Sequence, residues 1–186
     1  MDNPRRGPIV RPMAHHDADI LIVGGGLNGP CLALACAQAG LTSVVLDALP
    51  ESDRADPGCD GRSYALALTS TRLLDGIGLW DALQAQAQPM LQLKVTAGRA
   101  GDGPSPLSMQ FDHAEIEEGP MGYMVEDRLL RRALLDTVGS AKGITRHDTV
   151  SVVDQEADGA GITLTLGTGK TLRARLAVGA AGRGSD

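Results

Sequence analysis

Apolar residues fall along the chain in short blocks whose spacing switches between the period of a strand and that of a helix, the pattern of a mixed α/β chain. The clearest block, Ile20-Leu21-Ile22-Val23, is a continuous run that predicts a buried strand. It leads into Gly24-Gly25-Gly26-Leu27-Asn28-Gly29 and then an alanine-rich stretch, Pro30 to Ala39, that predicts a helix capped by Gly40. Thr42 to Leu46 predicts a second strand, with Asp47 at its end. The polar, proline- and glycine-containing segment Pro50 to Gly61 interrupts this alternation as a loop. Arg62 to Leu68 then leads into a short amphipathic helix, with Leu73, Leu74 and Ile77 at helical spacing. Ser70 is its expected N-cap and Gly76 to Gly78 its stop. Another short helix is expected over Asp81 to Ala87, ending near Pro89.

From Met90 the texture changes. Leu91 to Thr96 and Leu107 to Phe111 alternate as strands around the turn-rich segment Gly98 to Pro106, a β excursion away from the first sheet. Glu126 to Val138 predicts a helix with Leu130, Ala133, Leu134 and Val138 on its apolar side, which places Arg128, Arg131 and Arg132 on a solvated basic face. Thr149 to Asp154, Gly161 to Leu166 and Thr171 to Arg175 read as strands, with Asp158-Gly159 and Thr168-Gly169 as turns. Leu176 to Gly182 is expected to return to the parallel sheet.

The strand, glycine turn and helix have the shape of a dinucleotide site. Gly24 permits the tight turn, Gly26 lets a pyrophosphate approach the backbone, Gly29 allows close helix packing, and the helix N-terminus offers N–H donors to phosphates. Glycine spacing alone is weak in a chain with 24 glycines; the flanking strand, the helix and Asp47 carry the reading. A carboxylate at position 47 is placed to accept hydrogen bonds from both hydroxyls of an unphosphorylated ribose, as in FAD or NAD.

Charge and composition narrow the remaining chemistry. The formal net charge of -6 and the lack of a basic face argue against a nucleic-acid partner. Aromatic residues are confined to Tyr64, Trp80, Phe111 and Tyr123, too few for base-stacking platforms. Cys31, Cys36 and Cys59 form no CxxC pair and read as reduced thiols, the first two packed on the first helix. His15-His16 reads as part of a solvated leader rather than a metal site, and residues 1–17 lack a packing pattern and read as a disordered leader. No apolar run is long enough to span a membrane, and Arg5-Arg6 is followed by no signal-peptide pattern. A cytoplasmic protein is expected, compatible with peripheral attachment to the inner membrane.

Several motifs in one order resemble the FAD-dependent aromatic-ring hydroxylases, in particular the branch acting on ubiquinone precursors. They are Asp19 to Gly26, Asp60-Gly61-Arg62 with Ala65-Leu66, Leu79-Trp80-Asp81, Gly122 to Glu126, and Val178 to Arg183. The resemblance implies a Rossmann-like FAD-binding domain of the glutathione-reductase type. On it, residues 18–89 form the FAD-binding βαβ region, 90–121 a β excursion toward a substrate domain, and 122–186 the continuation of the FAD-binding domain. It also implies that Gly24, Gly25, Gly26 and Gly29 hold the FAD pyrophosphate and Asp47 the adenosine ribose. Arg62 would lie along the diphosphate, and Asp127 and Gly182 near the cofactor. NAD(P)H is then the expected reductant, O2 the oxidant and a small aromatic quinone precursor the substrate.

Three departures from the family pattern stand out. Ala181 replaces an expected aspartate, and Asp127 stands where asparagine, arginine or glutamine is common. The sequence also stops at Asp186, before the motif expected to hold the flavin end. They motivate a second reading, a truncated and inactive remnant or interaction module. A third reading, an NAD(P)-dependent dehydrogenase fragment, is compatible with the glycine turn alone.

Overall fold

The computed structural model describes residues 15–54, 62–98, 101, 103, 105, 107–115 and 119–182. Met13, Cys59, Asp60-Gly61, Arg183 and the terminal tip lie outside them. The chain runs β1 (Ile20–Val23), α1 (Asn28–Gln38), β2 (Ser43–Leu46), α2 (Glu51–Arg54), β3 (Ser63–Ala67), α3 (Leu68–Gly76), α4 (Asp81–Gln84) and β4 (Gln88–Pro89). It continues through β5 (Gln92–Thr96), β6 (Ser108–Asp112), β7 (Gly122–Glu126), α5 (Asp127–Ser140), β8 (Ile144–His147), β9 (Val152–Asp158), β10 (Gly161–Leu166), β11 (Thr171–Ala174) and β12 (Leu176–Gly179).

A parallel sheet in the order β12-β1-β2-β8 forms the centre. Both faces of β1 and β2 are covered, which is why their sequences are nearly continuous apolar runs. Ile22 and Val45 pack with Ala33 of α1 on one face. Leu21, Val44 and Leu46 on the other meet Leu164, Leu166, Leu172 and Ala174 of an antiparallel β9-β10-β11 meander. Leu21 and Leu164 are almost wholly buried, each contributing on the order of 2 kcal/mol. A larger cluster joins Leu34 of α1, Leu74, Ile77, Leu79, Trp80 and Leu83 of the α3–α4 region, and Leu130, Leu134 and Val138 of α5.

Helix α1 is closed by the backbone of its C-terminus. The Leu41 N–H donates to Cys36 O and the Gly40 N–H to Ala37 O, with Gly40 at φ +77°, the left-handed residue that this termination requires. Helix α3 begins at Leu68, two residues before the expected Ser70 cap, because Ala67 ends β3 in an extended conformation and turns directly into the helix. Helix α4 stops at Gln84, short of the expected Ala87, since Gln88 and Pro89 pair with β7.

Among the described residues, strands β5 and β6 pair only with each other. At the other end of the chain, β12 returns to the parallel sheet beside β1. Residue 17 is not a loose leader. The Asp17 N–H donates to Arg173 O and the Asp17 carboxylate accepts from the Arg173 N–H, while His16 Nε2 lies 3.0 Å from Ala160 O.

Candidate functional site

The turn between β1 and α1 is built around two close backbone approaches. Gly24 has φ +121°, and a Cβ there would lie 2.5 Å from the Ala180 carbonyl carbon and the Ala181 nitrogen. The chain leaving β12 therefore lies against the turn, secured by Ala180 N–H to Val23 O and Gly24 N–H to Leu46 O, both 2.7 Å. A Cβ on Gly29 would come within 1.9 Å of Gly24 O, so the helix can sit this close to the turn only without a side chain. Gly26 is different: a Cβ there would meet nothing within 4 Å. Its missing side chain preserves open space at the mouth of α1, whose start carries no side-chain cap among the described residues. A helix start without a side-chain cap, beside open space, suits an anion.

Asp47 closes the far side. Its N–H donates to His147 O at 3.0 Å, and its carboxylate accepts the N–H groups of Gly25 and Leu49. The acid at the end of β2 is thus bound to the middle of the glycine turn. A carboxylate offers about four acceptor positions, so it can hold backbone donors and a ligand hydroxyl together. Ala181 and Gly182 continue from β12 as exposed residues, and a Cβ on Gly182 would meet nothing within 4 Å.

On the opposite wall, α5 brings Asp127 and Arg131 to the groove. Asp127 begins the helix, and its N–H donates to Arg62 O at 3.0 Å, which places Arg62 against the start of α5. The Asp127 carboxylate points inward: Oδ1 accepts from the Tyr64 hydroxyl at 2.8 Å and Oδ2 from Arg131 Nε at 2.6 Å. Burial raises its pKa, and this is the largest single influence. The hydrogen bonds from Arg131 and Tyr64 and the charges of Arg131 and Arg62 together outweigh it, leaving the carboxyl below its ordinary value. The Arg131 pKa is correspondingly raised, first by its hydrogen bond to Asp127.

Arg131 corrects the expected solvated basic face. Arg132 does sit in solvent, paired with Asp136, and Arg128 pairs with Glu126. The Arg131 side chain, only 26% exposed, instead lines a hollow with Gly25, Gly26, Pro30, Leu134 and Leu135. Its four-residue spacing from Asp127 was the available sequence signal. The structure therefore gathers Gly24, Gly25, Gly26, Gly29, Asp47 and the residues after β12 around one turn. Arg131 lines the same hollow, and Asp127 and Arg62 are connected to it through the start of α5.

Other sequence candidates remain outside this groove. Cys31 and Cys36 are free thiols whose pKa values are raised by burial, so neither is an activated nucleophile. Among the described residues no group of three or more His, Cys, Asp or Glu could hold a metal ion, and no helix is long and apolar enough to cross a membrane.

A family model described as an FAD binding domain matches residues 17–186. Ubiquinone hydroxylase UbiL of Rhodospirillum rubrum is 45% identical over 185 residues, covering 100% of this chain and 42% of that protein. The 3-demethoxyubiquinol 3-hydroxylase of Escherichia coli is 34% identical, over 94% of this chain and 44% of its own. The chain thus spans less than half the length of these curated relatives. Among solved structures, p-nitrophenol 4-monooxygenase PnpA from Pseudomonas putida superposes with a TM-score of 0.72 at 18% identity, over 90% of this chain and 41% of that one. The flavin-dependent monooxygenase PieE gives a TM-score of 0.67 at 23% identity, over 90% and 31%. At these identities the structural likeness shows the fold alone.

Proposed function

The chain belongs to the FAD-binding domain family, and from that premise we propose that it is the FAD-binding portion of an NAD(P)H- and O2-dependent monooxygenase that hydroxylates an aromatic ubiquinone precursor. The observation that carries this reading is the open space in front of Gly26, set between the uncapped start of α1 and the carboxylate of Asp47. Residues that must be glycine for packing, Gly24 and Gly29, stand beside one that is glycine with nothing to pack against. In this reading a ligand phosphate occupies the space that Gly26 leaves open.

In this reading the N–H groups at the start of α1 hold the diphosphate, Arg62 lies along it, and Asp47 orients the adenosine ribose. Asp127 and Gly182 stand at the flavin side of the groove. When bound, the flavin supplies the redox and oxygen chemistry, while the protein orients it and keeps its surroundings dry. The names of the two curated relatives support a quinone-precursor substrate.

Calorimetric titration of the purified chain with FAD, ADP, FMN and NAD tests the cofactor. FAD and ADP should bind and FMN, which lacks the adenosine half, should not. Tighter binding of NAD than of FAD would revive the dehydrogenase reading. For the substrate, deleting the gene in its host should cause an under-hydroxylated quinone precursor to accumulate, detected by mass spectrometry. An unchanged quinone profile would reject the hydroxylase assignment and favour an inactive remnant.

A further inference from the structure

We propose that Arg131 is an additional contact for the cofactor diphosphate and that Asp127, through its ion pair with it, is a positioning residue rather than a ligand. This rests on the reading that the glycine turn holds the diphosphate. Both carboxylate oxygens of Asp127 are engaged, one by the Tyr64 hydroxyl and the other by Arg131 Nε. What Asp127 presents toward the groove is therefore a fixed guanidinium.

Three observations converge on Arg131. Its side chain lines the hollow that also contains Gly25 and Gly26, the two residues nearest the open space at the start of α1. It projects from the second turn of α5, one turn along from Asp127, and is three-quarters shielded from solvent, so its conformation is held rather than averaged over rotamers. Its donor fork also suits a diphosphate: the guanidinium has five N–H donors, of which Nε–H serves Asp127. A carboxylate this close to an anion would ordinarily repel it. Pairing with Arg131 and the nearby Arg62 charge offset that repulsion, so the acid can be retained at a phosphate site while fixing the arginine.

The test uses the whole 186-residue chain and three probes: FAD, ADP and adenosine, which lacks phosphates. In calorimetric titrations Arg131→Gln should weaken FAD and ADP by about 10- to 100-fold, the range for losing one charge-assisted contact, and leave adenosine within twofold. Equal weakening of all three, or no weakening of any, overturns the inference. If Arg131→Gln fails to give a cooperative melt, Arg131→Lys decides. It keeps the charge beside Asp127 but loses the planar fork, and a loss of at least threefold for FAD and ADP without loss for adenosine is expected. Unchanged FAD and ADP binding by Arg131→Lys then refutes the assignment. Binding of the three probes by the unmodified chain is read separately: its failure would sink the glycine-turn reading, whereas a variant that binds like the unmodified chain sinks only the role of Arg131.

Discussion

Substituting alanine at Gly26 and at Gly29 should separate ligand binding from folding, because the two positions are three residues apart and sterically opposite. At Gly29 the new methyl would lie 1.9 Å from Gly24 O, where ordinary contact begins near 3.4 Å. The helix and turn must therefore part by about 1.5 Å or leave strained contacts behind. Overpacking of this kind costs about 1–3 kcal/mol, and this backbone clash belongs at the upper end. For a domain of this size about 3 kcal/mol corresponds to a Tm lowered by roughly 6–12 °C. At Gly26 the methyl enters open space, so the fold should hold its Tm or gain about 0.5 kcal/mol from a stiffer unfolded chain. The same methyl occupies the approach to the α1 N-terminus, and loss of a charge-assisted contact there should weaken FAD by roughly 10- to 100-fold. Trp80, the single tryptophan, is buried against Tyr123 in the α1–α5 cluster, so its fluorescence reports unfolding of this region directly. Gly29→Ala melting with the unmodified chain, or Gly26→Ala melting as low as Gly29→Ala, would refute the steric reasoning.

Two further variants probe polar groups. Ser43 is 1% exposed and its Oγ has no hydrogen-bond partner among the described residues. Ser43→Ala should therefore raise stability by about 1 kcal/mol by removing a desolvated hydroxyl, and a lower denaturation midpoint would show that the hydroxyl has a partner. Asp127 has a depressed pKa in the folded chain. Its contribution to stability is therefore complete above the unfolded value near pH 4 and is lost as the pH falls through the still lower folded value. Thermal melts from pH 7 to pH 3 should show a shallower acid loss for Asp127→Asn than for the unmodified chain, and parallel curves would contradict the ion-pair assignment.

The elements most legible in the sequence are those whose burial is decided locally. Strands β1 and β2 are covered on both faces, so Ile20 to Val23 and Ser43 to Leu46 declare themselves as apolar runs. Strand β8 is equally part of the parallel sheet, yet Ile144-Thr145-Arg146-His147 carries no such run. It lies at the sheet edge, paired among the described residues only with β2, where polar side chains can reach solvent. Strands β3 and β7 are no more legible, because Tyr64-Ala65-Leu66 and Gly122 to Glu126 become strands through pairing with each other across the chain. Strand β9 reaches Asp158 rather than stopping at Asp154 for the same reason. Its polar end is held by pairing to β10, and the Asp158 carboxylate accepts the Ala160 N–H within the turn.

The same division runs through the site and explains why its two acids read so differently. Asp47 is coupled to the glycine turn by one βαβ unit, so its spacing from Gly29 makes its place beside the turn legible in the sequence. Asp127 is placed by Tyr64, 63 residues earlier, and by Arg131, one turn later, and only the fold brings Arg131 to Gly25 and Gly26. Taken as a bare carboxylate, Asp127 counts against an anionic ligand. Taken with its partners, it forms a nearly neutral pair with Arg131, and Arg62 and the α1 N-terminus add positive potential on either side of the groove. On the proposed reading, the departure from the family residue at position 127 is offset within one helical turn by the pairing of Asp127 with Arg131.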